Sequence, residues 1–496
     1  MITQFLSQMP VLLVVLPLLA APVCVIVHRA APAWFIYALI SWACFAIAFL
    51  LFVQVRIGGP ISYILGGWPP PFGIELRLDA LNMLVVLLVT GIAAIASIYA
   101  RASIAAEIPR ERAYLFYAAL LLCLCGLLGI SITGDAFNLF VFLEISSLSS
   151  YSLIAMGAKR RALLSAFQYL IMGTIGGTFL LIGIGFLYMM TGSLNMADIA
   201  DRLPAVSDTR TVEAGLAFIV IGLSLKFALF PLHIWLPNAY TYAPSAVSAF
   251  IAATATKVAV YALIRFLFTV FGAAYAFGQL PLGEVLMVLA VVAMLSGSVA
   301  AIFQTDVKRL LAWSSVAQMG YIVLGLSMAS ATGLTAALAH IVNHGIIKGA
   351  LFMAAGALFW RMRAISINDV AGLGRRMPLT AAAFVVAGLA LIGVPATGGF
   401  ISKWLLLEAV MEDAHYGLAA AILVSSLLSV IYIGRVVEAL YFRDPADNDG
   451  KTAEAPVSMV AATWVLVGAS VALGLYASPL VETAERAAAG LLGSGA

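Results

Sequence analysis

The 496-residue sequence is too apolar and too poor in charge for a soluble protein. Hydrophobic residues make up 64% of it and charged residues 10%, and its mean hydropathy is +1.09, whereas soluble domains are about 45–50% apolar and about 25% charged. The net charge of +3 leaves no basic excess for binding nucleic acid. The composition therefore predicts an integral membrane protein in a lipid bilayer.

Apolar runs long enough to cross a membrane, about 20 residues each, recur along the whole chain. The period-2 alternation of a transmembrane barrel is absent, so we predict an all-α polytopic membrane protein with about fourteen transmembrane helices. The first run lacks the basic start and the cleavage site of a signal peptide, which indicates a retained helix. The approximate cores of the spans are residues 10–28, 33–54, 80–100, 113–132, 137–156, 163–190, 213–240, 244–272, 283–302, 311–330, 335–360, 379–410, 417–440 and 456–477.

Lysine and arginine residues are distributed unequally between the two sets of alternate loops. Sixteen of them, including Arg101, Lys308 and Lys451, fall in one set, and five fall in the other. Cytoplasmic loops carry the excess of basic residues in membrane proteins. The pattern therefore predicts that both termini lie on the non-cytoplasmic side of the cell inner membrane.

Two of the fourteen runs contain helix-breaking residues. The seventh run includes Pro231 and Pro237, and the twelfth includes Pro395, Gly398 and Gly399, where a continuous helix is disfavoured. Each interrupted run is the fourth span of a five-span block, and paired interruptions in corresponding positions are typical of inverted-repeat transporters. The alternative is that the prolines merely kink two unrelated helices.

These features divide the chain into four predicted segments. Residues 1–110 hold three N-terminal helices, and residues 111–272 form the first five-helix repeat. Residues 273–445 form the second repeat, and residues 446–496 hold a C-terminal helix and tail. The fold prediction is thus two inverted five-helix repeats, each containing a broken helix.

Most lysines lie in predicted spans, whereas most arginines do not. Lys226, Lys257, Lys348 and Lys403 are intramembrane, and Arg265 is the one arginine placed inside a span. Burial can lower the pKa of a lysine by several units, whereas arginine stays protonated. The segregation favours sites that repeatedly bind and release a proton, with lysines that extend to the membrane interface as the alternative.

Glu144 is the carboxylate counterpart of these lysines. It lies about 12 Å along its helix at 1.5 Å per residue, which is close to the middle of the bilayer. An unpaired carboxylate there is costly, so a cationic partner is expected. Lys226 is the predicted partner, because it is the first intramembrane lysine of the same block.

Histidines extend the titratable series. His340, His344 and Lys348 recur every four residues and so share one helix face, which suits a water-linked proton path. His233 follows the first break, where freed carbonyl groups could accept its proton. The alternatives for the histidines are hydrogen bonds to neighbouring helices and a metal site. The full predicted relay is Glu144, Lys226, His233, Lys257, His340, His344, Lys348 and Lys403.

No metal or cofactor is expected from the motifs of the chain. The two histidines at i and i+4 have no carboxylate or cysteine near them in sequence. Phosphate-binding loops, dinucleotide fingerprints, haem motifs and Ser–His–Asp patterns are also absent from the sequence. Catalysis by this chain alone is therefore unsupported, and the paired interrupted spans favour a transporter.

Four motifs resemble one known family. They are T-G-D-A-F-N-L-F-V-F-L-E-I-S-S-L-S-S-Y (133–151), K-F-A-L-F-P-L-H-I-W-L-P-N-A-Y-T-Y-A-P (226–244), D-V-K-R-L-L-A-W-S-S-V-A-Q-M-G-Y (306–321) and N-H-G-I-I-K-G-A-L-F (343–352). Together they resemble the antiporter-like subunits shared by Mrp-type cation/proton antiporters and the membrane arm of respiratory complex I. The resemblance covers about residues 80–440 and implies fourteen helices with two inverted five-helix repeats.

The resemblance also implies roles for individual residues. Glu144 resembles the family's helix-5 glutamate, Lys226 its helix-7 lysine, and Lys257 the helix-8 lysine that links two proton half-channels. His344 and Lys348 match the helix-11 motif. Lys403 matches the lysine of the broken twelfth helix.

Within the family, residues 133–144 look most like the D-type subunit of the Mrp antiporter. The main hypothesis is therefore a proton-translocating subunit of a multisubunit Na⁺/H⁺ antiporter, with protons and Na⁺ as its ions and other subunits as its partners. The alternative is an antiporter-like proton-pumping subunit of a NADH:quinone oxidoreductase or an energy-converting hydrogenase. A self-sufficient transporter is a third possibility. We expect protons, not Na⁺, to use the central path, because the sequence shows no oxygen-rich acidic cluster inside the membrane.

Overall fold

The computed structural model describes residues 2–363, 365–444 and 453–493. Within these residues the chain forms nineteen α-helices and one two-stranded sheet. The helices are α1 (Ile2–Val27), α2 (Ala30–Gly58), α3 (Ala80–Glu107), α4 (Ala113–Ile132), α5 (Ala136–Ala155), α6 (Arg161–Thr191), α7 (Met196–Arg202), α8 (Arg210–Lys226), α9 (Trp235–Tyr242), α10 (Ser245–Ile264), α11 (Leu282–Ile302), α12 (Val307–Ser327), α13 (Ala331–Met362), α14 (Leu373–Arg376), α15 (Pro378–Ile392), α16 (Gly398–Glu412), α17 (Tyr416–Phe442), α18 (Val457–Leu475) and α19 (Ser478–Leu492).

The predicted fold class is confirmed. Among the described residues, twelve helices are long and apolar enough to cross a membrane. The two remaining predicted spans are the interrupted ones, each built from two shorter helices: α8 with α9, and α15 with α16. The twelve continuous spans and the two broken ones together account for the fourteen predicted crossings.

Both breaks occur where the sequence predicted them, although not every helix-breaking residue lies in a break. Pro231 lies between α8 and α9, but Pro237 is in the first turn of α9, where a proline nitrogen removes no helical hydrogen bond. Pro395 lies between α15 and α16, whereas Gly398 and Gly399 begin α16. A Cβ atom at Gly399 would lie 1.9 Å from the Ala390 carbonyl oxygen, so glycine there lets the two half-helices approach closely.

The start of the second span of each predicted repeat has the same local structure. Asp135 caps α5 by accepting from the Asn138 amide, and Asp306 caps α12 by accepting from the Arg309 amide. Each aspartate also bridges to the backbone that follows the next transmembrane helix, Asp135 to Asn195. The second pair is Asp306 with Ser366. Because α5 is the fifth crossing and α12 the tenth, the two helices run in opposite directions, as inverted repeats require.

We propose that the chain is divided into the four segments predicted from the sequence and that the two five-helix blocks are repeats. The boundary between residues 445 and 446 lies outside the described residues, as does Lys451 of the loop predicted to be cytoplasmic. Helix α13 lies at the centre of the bundle, in contact with α3, α10, α12, α16, α18 and α19. Helix α13 therefore contacts helices of both five-helix blocks, α10 in the first and α12 and α16 in the second.

The predicted spans did not include a strand pair and the short helices α7 and α19. Strands β1 (Ile61–Ile64) and β2 (Glu75–Leu78) form an antiparallel pair in the loop between α2 and α3. Helix α7 lies in the loop after α6, and α19 packs on α3 and α13 at the end of the chain. All three are too short to cross a bilayer.

Candidate functional site

The ion pair predicted between Glu144 and Lys226 is present. Glu144 Oε1 lies 3.1 Å from Lys226 Nζ, and the ammonium also donates to Ser147 Oγ at 3.0 Å. The Lys226 side chain is 4% exposed and that of Glu144 is 25% exposed. A charged lysine at this depth is therefore satisfied by one carboxylate and one hydroxyl group, both from α5.

The first helix break positions Lys226. It is the last residue of α8, so its side chain projects from the point where the helix stops. The neighbouring Leu225 carbonyl, freed by the break, accepts the indole N–H of Trp235 at 2.9 Å. The Trp235 ring stacks on Tyr169 of α6 with centroids 3.9 Å apart, which holds the end of α8 against α6.

A small cavity lies beside the pair. It has a volume of about 20 Å³, which exceeds the ~10–15 Å³ that one water molecule needs. Its polar lining comes from the serines of α5, from Tyr169 and from Lys226, and Ala255 and Ala259 of α10 form the far wall. A water molecule here would extend the hydrogen-bond path from Lys226 towards α10.

Gly177 of α6 provides the space that the Glu144 carboxylate occupies. A Cβ atom at Gly177 would lie 2.3 Å from Glu144 Oε1, so Gly177→Ala should displace the carboxylate from Lys226. We expect ion-coupled transport to fall about tenfold or more, because a proton-transfer group would be misplaced. The measurement is proton translocation in vesicles, normalised to assembled protein. Gly185→Ala is the matched control, since nothing lies within 4 Å of its Cβ position, and equal activity of the two variants would contradict the prediction.

Lys257 is fully buried in α10. Its ammonium donates to the Ala252 carbonyl and to Thr256 Oγ1, and no described acidic side chain forms an ion pair with it. Helix α13 packs directly on this part of α10: a Cβ atom at Gly345 would lie 2.9 Å from the Ala253 carbonyl oxygen. Lys257 therefore lies in the helix that contacts both α8 and α13.

The histidines of α13 have contrasting surroundings. His340 bonds Ser402 of α16 at 2.8 Å and Gln318 of α12 at 2.9 Å. The His344 ring stacks on that of His340 with centroids 5.8 Å apart, yet neither of its nitrogens has a hydrogen-bond partner in the described part of the chain. Buried unpaired ring nitrogens are costly, so both His344 nitrogens remain available to a further hydrogen-bond partner.

Lys348 and Lys403 are both held by neutral oxygen atoms. Lys348 donates to the Leu311 carbonyl at 2.8 Å and to Ser314 Oγ, both in α12. Lys403 donates to the carbonyls of Leu391 and Ile392 at 3.0 and 2.9 Å. These carbonyls end α15, so the ammonium interacts with the negative end of that half-helix.

A tyrosine connects Lys403 with the histidines. The ammonium lies 4.7 Å above the Tyr321 ring, and the same ring lies 5.7 Å from His340. Ser426 Oγ is within hydrogen-bond distance of both the Tyr321 hydroxyl and Lys403. The second repeat therefore contains a connected polar cluster.

His233 does not bond as expected. Its Nδ1 atom is buried and has no hydrogen-bond partner in the described residues, and its ring packs between Phe230 and Trp313. At the break the Ser224 carbonyl accepts from the Leu229 backbone amide, not from His233. The prediction that freed carbonyls would accept a proton from His233 was wrong for this atom.

The burial of Lys308 and the ion pair of Arg265 were not predicted. The sequence placed Lys308 in a loop, but α12 begins at Val307, so Lys308 is buried in its first turn and donates to Ser245 Oγ at 3.0 Å. At the opposite end of α10, Arg265 forms an ion pair with Asp79, the N-cap of α3. Lys308 stands in the D-V-K-R motif, which could have drawn attention to it. Its contact with Ser245, 63 residues earlier in the chain, could not be predicted from that motif.

The described residues contain no group of three or more His, Cys, Asp or Glu side chains suited to a metal ion. The arrangement instead offers proton donors and acceptors: one ion pair and the buried Lys257 in the first repeat, and a histidine–lysine cluster in the second. Each lysine of the predicted relay reaches neutral oxygen acceptors, and Lys226 alone among them also reaches a carboxylate. Such groups can exchange protons through intervening water.

The chain is similar to subunits of two kinds of membrane complex. It is 43% identical over 494 residues to NADH-quinone oxidoreductase subunit N of Desulforudis audaxviator, covering 96% of this chain and 97% of the relative. It is 29% identical over 436 residues to the D-type subunit of the Na(+)/H(+) antiporter of Alkalihalophilus pseudofirmus, covering 88% and 87%. A chain in the structure of the Mrp complex from Dietzia sp. DQ12-45-1b superposes with a TM-score of 0.90 at 25% identity, covering 99% of this chain and 98% of that one.

These values do not favour the predicted nearness to the D-type Mrp subunit over the NADH-quinone oxidoreductase alternative, since the identity to the oxidoreductase subunit is higher and extends further along the chain. The family itself is clear. Residues 133–429 match the sequence profile of the family described as NADH:quinone oxidoreductase/Mrp antiporter, TM. The chain therefore belongs to this family of antiporter-like, multi-pass membrane subunits.

Proposed function

We propose that this chain is a proton-translocating subunit of a multisubunit membrane complex and carries out no chemical conversion itself. The observation that supports the proposal is the set of titratable side chains distributed over both repeats. They run from the partly exposed Glu144 and the buried Lys226 through Lys257 to the buried histidine–lysine cluster around Lys403. Charged or titratable groups inside a membrane are costly and mark ion or proton pathways.

For the parent complex, a redox-driven NADH-quinone oxidoreductase is the first candidate. The 43% identity to the Desulforudis oxidoreductase subunit over nearly the whole of both chains supports it. The second candidate is a multisubunit Na⁺/H⁺ antiporter of the Mrp kind, supported by the TM-score of 0.90 with a chain of the Dietzia complex. In either complex the other subunits would be its partners, and we propose the inner membrane with both termini on the non-cytoplasmic side.

Proton movement would proceed by coupled titration. A proton that neutralises Glu144 removes the counter-charge of Lys226, which then favours release of a proton from the ammonium towards the serine-lined cavity. Lys257 would receive it and pass it to the α13 histidines, since α10 packs on α13. We propose that Na⁺ does not follow this route, because the described path offers a cation a single carboxylate, already paired with Lys226, and its other charged groups are lysines that would repel a cation.

The test uses the native complex purified through a tag on this chain and reconstituted in liposomes with a pH-sensitive dye inside. We expect NADH with a quinone to drive proton movement, and Lys257→Met to reduce it about 100-fold, as expected for loss of a proton-transfer group. Lys159→Met, in an exposed loop, is the matched control. Proton movement driven by a Na⁺ gradient and absent with NADH would select the antiporter, and full activity of Lys257→Met would contradict the relay.

A further inference from the structure

A crevice that the proton path does not use opens between α2, α3 and α4. Its volume is about 370 Å³, and it lies at the end of the bundle where the basic loops are found. Apolar residues form much of its wall, among them Ala31, Ile104 and Ala105. Two arginines, Arg101 and Arg110, also line it.

Both arginines have unused hydrogen-bond donors. In the part of the chain that the structure describes, neither guanidinium forms a hydrogen bond or an ion pair. Arg101 lies over the Trp34 ring, 4.6 Å from its centroid, and Trp34 is itself fixed by a 2.9 Å bond from its indole N–H to the Ser97 carbonyl. Each guanidinium offers five N–H donors in a planar fork suited to phosphate.

The acidic residues nearby in sequence do not neutralise these arginines. Both oxygens of the Glu107 carboxylate accept from the Ser245 amide, at 3.2 and 3.0 Å. Glu111 is exposed in the loop that joins α3 to α4, between Arg110 and Arg112. Among the described residues neither carboxylate forms an ion pair with Arg101 or Arg110, so both guanidinium groups remain available to an anion.

The position along the helices places the arginines at the level of lipid headgroups. Arg101 lies six residues, about 9 Å, before the end of α3, and Arg110 follows that end. Trp34 and Tyr117 also line the crevice, and such aromatic side chains are enriched at membrane–water interfaces. Basic pockets between transmembrane helices bind the headgroups of anionic lipids.

We propose that this crevice binds an anionic phospholipid. Its phosphodiester group lies between Arg101 and Arg110, and one acyl chain follows the wall formed by Ala31, Ala105 and Ile104. The two arginines, which have no ion-pair partner in the described residues, complement the negative charge of the headgroup. The apolar wall complements the acyl chain of the lipid. A free phosphate would leave the apolar wall uncovered.

The test is native mass spectrometry of the full chain in neutral detergent, titrated with dioleoyl-phosphatidylglycerol or dioleoyl-phosphatidylcholine. We expect one tight site for phosphatidylglycerol and none for phosphatidylcholine. Arg101→Gln with Arg110→Gln should weaken that site about 30-fold, about fivefold for each arginine. Arg112→Gln is the matched control, because Arg112 is in the same loop but does not line the crevice.

A second variant separates the contribution of the crevice's shape to lipid binding from that of its two arginines. Ala105→Phe fills the apolar wall while both arginines remain, and it should also abolish the tight site. Equal affinity of the double arginine variant and the Arg112→Gln control would overturn the proposal, as would equal binding of the two lipids. Displacement of the lipid by inorganic phosphate at equal concentration would identify a free-phosphate site and would also overturn it.

Discussion

Lys226→Arg should abolish proton translocation almost as completely as Lys226→Ala, even though it keeps the positive charge. In the structure the ammonium satisfies Glu144 and Ser147, and a guanidinium could satisfy both as well. Arginine, however, does not release its proton at any accessible pH. Loss of a group that must bind and release a proton should lower the rate about 100-fold or more.

The measurement is proton movement in vesicles that contain the whole complex, with the amount of assembled chain verified by immunoblot. Lys159→Arg is the matched control, because Lys159 lies in an exposed loop. If Lys226 is only a counter-ion for Glu144, the arginine variant should keep most of its activity. That result would remove Lys226 from the relay.

The alanine variants separate charge from proton transfer. Glu144→Ala leaves an ammonium without its counter-charge in a site where Lys226 is 4% exposed, so the lysine should lose its proton or draw in water. Lys226→Ala leaves a carboxylate that should remain protonated. Both variants should assemble, because the apolar faces of α5 and α8 are unchanged.

Among the variants described, the one that breaks the ion pair between Arg265 and Asp79 should have the largest effect on the free energy of unfolding. The two side chains are 11% and 20% exposed, and Arg265 also donates to the Tyr261 hydroxyl at 3.0 Å. Asp79→Asn keeps a side-chain oxygen to cap α3 but leaves the guanidinium without a counter-charge. We expect it to lower the free energy of unfolding by about 3–5 kcal/mol.

The control is the double variant Asp79→Asn with Arg265→Gln, which leaves no uncompensated charge and should recover most of the lost stability. Unfolding titrations with SDS in mixed micelles would measure the differences. A double variant no more stable than Asp79→Asn would show that the charge pair is not the source of the effect.

The same pair predicts a pH dependence. Burial opposes ionisation of Asp79, but the Arg265 guanidinium and the bond from the Asn82 amide hold the pKa of this carboxyl below its usual value. An unfolded aspartate titrates near pH 3.9, so the stabilisation is fully present above about pH 4 and is lost as the pH falls through the folded-state pKa. The stability difference between wild type and Asp79→Asn should therefore be constant near neutrality and shrink below about pH 4.

Local features of the sequence were enough to predict the membrane class, the fourteen crossings and the two breaks. Run length and proline placement are local properties, since a span needs about 20 apolar residues and a proline lacks a backbone donor. It also predicted the partner of Glu144, because a carboxylate at membrane depth needs a cation and few candidates exist. The structure contains this pair, with 3.1 Å between Lys226 Nζ and Glu144 Oε1.

Which groups meet across the bundle could not be predicted from the sequence and is known from the packed fold. Lys403 reaches the carbonyls that end α15, Lys308 is buried against Ser245, and His233 has an unbonded Nδ1. These results depend on which face of each helix packs inward. Lipid tails are as apolar as a protein core, so membrane helices are apolar on all sides and their sequence periodicity does not specify the packed face.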